Sequence, residues 1–190
     1  MSVTLANAGS VDRSKTDFYP TPSNVTEALL RFLNIPKQLS IWEPAAGAGH
    51  MVSVMQEWGY KVEASDLHSF TMEDFLAISE CRGDWIITNP PFSVAESFIR
   101  HALSFKPKGV AMLLKSQFWH SSGRLNLFRE FTPKYVLPLT WRPDFLFGAK
   151  SGSPTMEVIW TVWDKDSNKK CEYIPLQKPS VQKELFDFNS

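Results

Sequence analysis

Between Ser40 and Phe131 short strand-like runs alternate with helix-forming stretches, and this alternation constrains the fold more than any other feature of the chain. The strands are expected at 40–43, 61–64, 84–88 and 110–114, with helices at 49–58, 94–105 and 122–131. Strands separated by helices are joined by crossovers, and crossovers make a parallel sheet covered by helices on both faces. Ahead of this unit, Thr21-Pro22 reads as a helix start, with a hydroxyl N-cap, proline at the first helical position and Glu27 in the opening turns. Val25, Leu29, Leu30, Phe32 and Leu33 give that helix an apolar face, and Asn34-Ile35-Pro36 ends it. Behind the unit, 135–140 and 156–163 are strand-like and close enough in sequence to form an antiparallel hairpin at the sheet edge. The expected organisation is a polar N-terminus over 1–16, one α/β domain over 17–163 and a polar, Lys-rich segment and tail over 164–190.

Within that frame one strand ends unusually. Trp85-Ile86-Ile87-Thr88 runs straight into Asn89-Pro90-Pro91-Phe92. Neither proline has an N–H, so ladder bonding stops abruptly and the backbone stays extended. The Asn89 amide oxygen and the Pro90 carbonyl are then placed to accept hydrogen bonds from one planar amino group. Phe92 offers a ring face for the base that carries it. Such a site suits chemistry on an exocyclic amine.

A second loop follows the first strand: Glu43-Pro44-Ala45-Ala46-Gly47-Ala48-Gly49. Gly47 and Gly49 allow a ligand close to the backbone. Val52 stands where a dinucleotide fingerprint would need its third glycine. Glu43 is a poor neighbour for pyrophosphate and a good one for a cation. Asp66, about twenty residues on and followed by Leu67, ends the second strand where an acid can bind ribose hydroxyls. Asp74-Phe75 offers an acceptor for an adenine amino group beside a ring to pack on it. S-adenosylmethionine, with an adenosine, an ammonium and a sulfonium, fits this set.

Charge supports a division of labour. The chain is neutral overall, with 20 basic and 20 acidic residues, yet the charges segregate. Between residues 35 and 80, Glu43, Glu57, Glu63, Asp66, Glu73, Asp74 and Glu80 face only Lys37 and Lys61. Between 97 and 150, Arg100, Lys106, Lys108, Lys115, Arg124, Arg129, Lys134, Arg142 and Lys150 face only Glu130 and Asp144. An acidic first half beside a basic second half suits a cationic cofactor next to a polyanion. Lys115, Arg124 and Arg142 are candidates for a nucleic-acid surface, with Phe118, Trp119 and Phe145 as wedges or stacking rings. No apolar run reaches the roughly 20 residues that span a bilayer. The N-terminus has no signal-peptide core, and Cys81 and Cys171 fit neither a disulfide framework nor a metal spacing. A reducing cytoplasm and no metal are the expectations.

On these residues the chain resembles the S-adenosylmethionine-dependent DNA adenine-N6 methyltransferases, in particular their small phage and prophage-type members, from about Asp17 to Trp163. Asp17-Phe18-Tyr19-Pro20-Thr21-Pro22 resembles the segment that closes over the cofactor in that family, and Glu43 to Gly49 resembles its glycine loop. Asp66 and Asp74-Phe75 resemble its ribose and adenine contacts. Asn89-Pro90-Pro91-Phe92 resembles its catalytic motif, and the order of the loops is its gamma-like arrangement. The resemblance implies a Rossmann-like sheet, normally of seven strands with an antiparallel last hairpin, and DNA as partner. Only 18 residues separate Asp66 from Trp85, so the family's third strand should be short or missing. A short or relaxed sequence preference, read by loops such as 116–124 and 141–154, is expected. Methyl transfer to RNA (adenine-N6 or guanine-N2) or to protein glutamine-N5 stays open, since related enzymes share Asn-Pro-Pro-Phe or -Tyr. So does a catalytically silent decoy that binds nucleic acid or cofactor. In the tail, Gln182-Lys183-Glu184-Leu185-Phe186 resembles peptides that dock on bacterial sliding clamps.

Overall fold

The computed structural model describes residues 20–69, 71–145, 156–165 and 170–180. Tyr19 and the clamp-like peptide Gln182 to Phe186 lie outside them. The elements run α1 (Ser23–Leu33), β1 (Ser40–Glu43), α2 (His50–Glu57), β2 (Lys61–Ala64), β3 (Trp85–Thr88), α3 (Ala95–Ser104), β4 (Gly109–Lys115), α4 (Leu125–Glu130), β5 (Tyr135–Pro138), β6 (Val158–Asp164) and β7 (Glu172–Tyr173). The strands form one sheet in the order β2-β1-β3-β4-β6-β5-β7. Only β6 runs against its neighbours; the β1–β2, β1–β3, β3–β4 and β5–β7 pairs are parallel. This is a mixed α/β sheet, mostly parallel as the alternation predicts, with the antiparallel hairpin expected from 135–140 and 156–163. Among the described residues no helix is long and apolar enough to cross a membrane.

Each central strand splits its apolar residues between two cores, as a two-residue period requires. Ile41, Ile87, Ala111, Leu113, Trp160 and Val162 pack with Val25, Leu29 and Leu30 of α1 and Met51, Val54 and Met55 of α2. Trp42, Ile86, Val110, Met112 and Leu114 pack on the other face with Phe98, Ile99 and Ala102 of α3 and Leu127 of α4. Leu29 and Leu30 are fully buried, each contributing about 1.5–3 kcal/mol of apolar burial. The Trp160 indole N–H donates to the Val25 carbonyl at 3.0 Å, tying α1 to β6. This anchorage fixes where the segment leading into α1 must lie.

Three local expectations are corrected. Helix α1 begins at Ser23, with Pro22 in the cap position and extended (φ −60°, ψ 143°), and no side chain caps it. Thr21 is therefore not an N-cap; its hydroxyl is engaged elsewhere. The β5–β6 hairpin exists but is not the edge of the sheet, because β6 lies between β4 and β5 and β7 pairs outside β5. The polar segment after Asp164 thus supplies a strand, and Leu176 is buried and bridges to Leu139. Between Asp66 and Trp85 the described residues hold only a single helical turn, Phe75–Ala77, and no strand, in keeping with the short spacing. The Arg82 guanidinium closes that span by two bonds to the Glu73 carboxylate, at 2.8 and 2.6 Å.

Candidate active site

In open parallel sheets ligands bind outside the carboxyl ends of the strands, near the point where chain order reverses. Here β1 and β3 are neighbours while β2 and β4 diverge to either side. The loops after β1 and β3 meet at that point, and they are the glycine loop and Asn89 to Phe92.

The loop after β1 is stitched to the end of β2. The Ser65 N–H donates to the Glu43 carbonyl and the Ala46 N–H to the Ser65 carbonyl, both at 3.0 Å. Asp66 completes the tie: one carboxylate oxygen accepts from the Gly47 N–H at 2.9 Å and the other from the His68 N–H at 2.7 Å. Gly47 and Gly49 sit at φ 53° and 81°, where a side chain is strained. A Cβ built on Gly49 would meet nothing within 4 Å, so packing does not demand glycine there and open space lies against the turn.

Glu43 lies beneath this turn, 1% exposed. Its Oε1 accepts from the Ala45 N–H at 3.3 Å. Oε2 and the hydroxyl of Thr88 are both buried, and neither completes a hydrogen bond, although the hydroxyl is close enough to favour the charged carboxylate. Burial pushes the carboxyl up to about 8, and Asp66 adds to the rise against the pull of Thr88 and the Ala45 N–H. A buried acid with an orphaned oxygen, a second acid beside it and open space above the turn fit a ligand that brings positive charge. Thr88 is the residue that sequence reasoning missed. It reads as one more strand residue, and only the parallel β1–β3 pairing brings it to Glu43.

Asn89 follows Thr88 and is partly buried. Its amide N–H donates to the Thr21 hydroxyl at 3.0 Å, across 68 positions of sequence. Thr21 is itself 4% exposed, with Pro22 buried beside it. The segment before α1 and the Asn-Pro-Pro loop thus form one structure. Pro90 is buried, Pro91 half-buried, and a helical turn opens at Phe92. The Lys115 ammonium, at the end of β4, sits 4.2 Å from the centroid of the Phe92 ring, so a stacking base takes the other face or displaces it.

The remaining candidates are placed differently. Phe75 is 1% exposed, in the second core against Trp42, Phe98 and His101 at centroid distances of 5.2, 4.7 and 4.9 Å. The ring assigned to adenine from sequence is a core ring, because Trp42, Phe98, His101 and, at 6.1 Å, Phe105 already cover it. Asp74 accepts from the Leu76 N–H at 2.9 Å and caps the turn after it. Leu67 is half exposed next to Asp66, and Leu76 is also exposed. Phe118 is buried under the Arg124 guanidinium, which stands 3.9 Å from its centroid and donates to its carbonyl at 2.8 Å. Trp119 stacks on Phe128 at 4.3 Å, and Phe145 belongs to the first core. These placements turn the expected wedges inward. Arg142 is exposed and paired with Glu157 at 3.0 Å. Much of the basic half is likewise matched, Arg100 by Glu96 and Glu130, Lys108 by Asp84 and Lys134 by Asp164.

No protein-family model matches the chain, and no curated protein matches it. Solved structures do. A structure from Listeria monocytogenes assigned to the class I S-adenosylmethionine-dependent methyltransferases superimposes with a TM-score of 0.58 at 18% identity, covering 84% of this chain and 66% of its own. A chain assigned as the modification subunit of a type I restriction enzyme from Vibrio vulnificus gives 0.59 at 13% identity, covering 90% of this chain and 50% of its own. The 1,6-didemethyltoxoflavin-N1-methyltransferase of Burkholderia thailandensis, solved with S-adenosylhomocysteine, gives 0.51 at 14% identity and 82% of each chain. This chain therefore spans about two thirds and one half of the first two proteins. The shared property is the fold, that of the Rossmann-like S-adenosylmethionine methyltransferases, and such a fold serves more than one substrate class.

Proposed function

We propose that the protein transfers a methyl group from S-adenosylmethionine to the N6 amine of adenine in DNA. One observation carries the reading: the Asn89 side chain, at the carboxyl end of β3 beside the glycine turn, is held through its amide nitrogen by Thr21. Oδ1, together with the Pro90 carbonyl, is the acceptor pair for an exocyclic amine, and a backbone locked by two prolines keeps the pair from rotating away.

The glycine turn, Glu43 and Asp66 would hold the cofactor, and Thr21-Pro22 would lie along it. Bound there, S-adenosylmethionine supplies an electrophilic methyl group. An adenine in duplex DNA must first leave the stack, at a cost of a few kcal/mol. Phe92 then stacks on the extruded base. Asn89 Oδ1 and the Pro90 carbonyl accept the two N6 hydrogens and draw the nitrogen lone pair out of ring conjugation. Once the nitrogen has gained the methyl it is positively charged and acidic, and it releases one of those protons to solvent water, so no strong base is needed. Positioning and fixed acceptors supply the acceleration.

Incubation with labelled S-adenosylmethionine and either unmethylated DNA or RNA, followed by nucleoside mass analysis, tests the reading. N6-methyldeoxyadenosine is expected. Label confined to RNA or to protein would move the activity to another amine.

A further inference from the structure

A cavity of about 670 Å³ opens on the same edge of the sheet, on the far side of β4 from the glycine turn. Its walls come from the start of β6, the end of β5 and the residues that follow β4 and β5, among them Ser116, Thr140, Trp141, Arg142 and Glu157. The size is that of a small-ligand site. Lys115 pairs with Val158 in the sheet, and Ser116 donates its N–H to the Glu157 carbonyl at 3.0 Å. Lys115 therefore stands between the cavity wall and the Phe92 ring it covers. From Asn89, β6 and β5 are two and three strands away, roughly 10–14 Å at the usual strand spacing. That distance is one or two nucleotides along a splayed strand.

The lining has the chemistry of a base reader. The Trp141 indole, partly buried against the first core, forms part of the wall. Beside it the exposed Arg142 guanidinium and Glu157 carboxylate, paired at 3.0 Å, offer donors and an acceptor together. An exposed pair of this kind adds little stability by itself and is cheaply opened. Guanine answers both groups, with O6 and N7 for the guanidinium and its N1–H and N2 amino hydrogens for the carboxylate. The last two face the pairing partner or minor groove in a duplex, so the base must be unstacked to be read this way.

We propose that this cavity is a second nucleobase site, selective for guanine, that takes a nucleotide flanking the target adenine while Lys115 meets the phosphate between them. The proposal rests on the methyl-transfer reading for the identity of the strand it binds. The cavity itself can be tested apart from it. The chain has seven tryptophans, and Trp141→Phe assigns the Trp141 indole signal in a proton–nitrogen correlation spectrum. Titration with each of the four deoxynucleoside monophosphates should move that signal saturably with dGMP, with at least tenfold weaker binding of the others. Arg142→Ala and Glu157→Gln should each weaken dGMP about tenfold. A signal unmoved by any nucleotide, moved equally by all four, or indifferent to both substitutions overturns the site. In parallel, mapping methylated adenines should show a guanine neighbour enriched by wild type and lost in Arg142→Ala. Methylation with no neighbour preference overturns the flanking-base role and leaves the methyltransferase reading intact. Selective dGMP binding without any DNA methylation does the reverse.

Discussion

The two ends of the carboxyl edge are built on opposite principles. On the β1–β2 side the acids assigned to the cofactor from sequence are tied to backbone or buried: Asp66 holds Gly47 and His68, Asp74 caps a turn and Glu43 lies under its own loop. On the β4–β6–β5 side the charged groups are exposed, paired side chain to side chain, and surround a cavity. A rigid, acid-lined turn suits one invariant ligand, because few of its contacts can be rearranged. An open rim of Lys115, Arg142 and Glu157 suits a polymer whose sequence varies. Asn89 lies at the seam, and Thr21 reaches it from a helix anchored on the other side of the sheet.

The sharpest way to break this contrast is Phe75→Ala. A core ring predicts a loss of about 3–5 kcal/mol in denaturant unfolding; a ring that only packs on a cofactor would lose affinity and little stability. Next in size, Asn89→Ala should lower single-turnover methyl transfer about 10²–10³-fold, the effect of removing one aimed hydrogen-bonding group. Cofactor affinity, read by calorimetry, should change far less, and equal activity would remove the proposed role.

Glu43 gives a pH signature. Its carboxyl is raised from an ordinary 4.5 to about 8 in the folded chain, so the folded state holds the proton more tightly than the unfolded state. The resulting stability is fully present below pH 4.5 and is lost as pH rises toward 8, by no more than about 1.4 kcal/mol per pH unit. Glu43→Gln should flatten that slope in unfolding curves taken between pH 5 and 8.5. A ligand cation beside the carboxylate would release the proton, so cofactor affinity in wild type should rise with pH over the same window. The smallest effect is expected at Thr21. Thr21→Val removes one acceptor, worth about 1 kcal/mol, and should slow transfer about fivefold with cofactor affinity retained, while Thr21→Ser keeps the rate. A larger loss of affinity than of rate would make Thr21 a cofactor contact instead of a positioning group.

Much of this architecture is legible in local sequence. Expected strand positions at 40–43 and 61–64 coincide with β1 and β2, and those at 84–88 and 110–114 fall within a residue of β3 and β4. Short apolar runs bounded by turn residues carry that information in themselves. The strand-ending prolines and the glycines at positive φ are equally local, since the constraint sits in the residue. The aromatic residues were harder. Phe75, Phe118, Trp119 and Phe145 have the same composition whether they face a ligand or a core, and only the neighbours brought by the helices and the two sheet faces put Phe75, Phe118 and Phe145 in the core and stacked Trp119 on Phe128.

The chain alone therefore determined the order of its elements, the place of its two loops and the segregation of its charges, because backbone preference and residue type act over a few positions. Tertiary structure alone decided that Thr21 holds Asn89, that Thr88 faces Glu43, that β7 covers β5 and that a cavity opens beside Trp141. Each joins residues distant in sequence, and their proximity follows from how the sheet is ordered, which no single segment encodes.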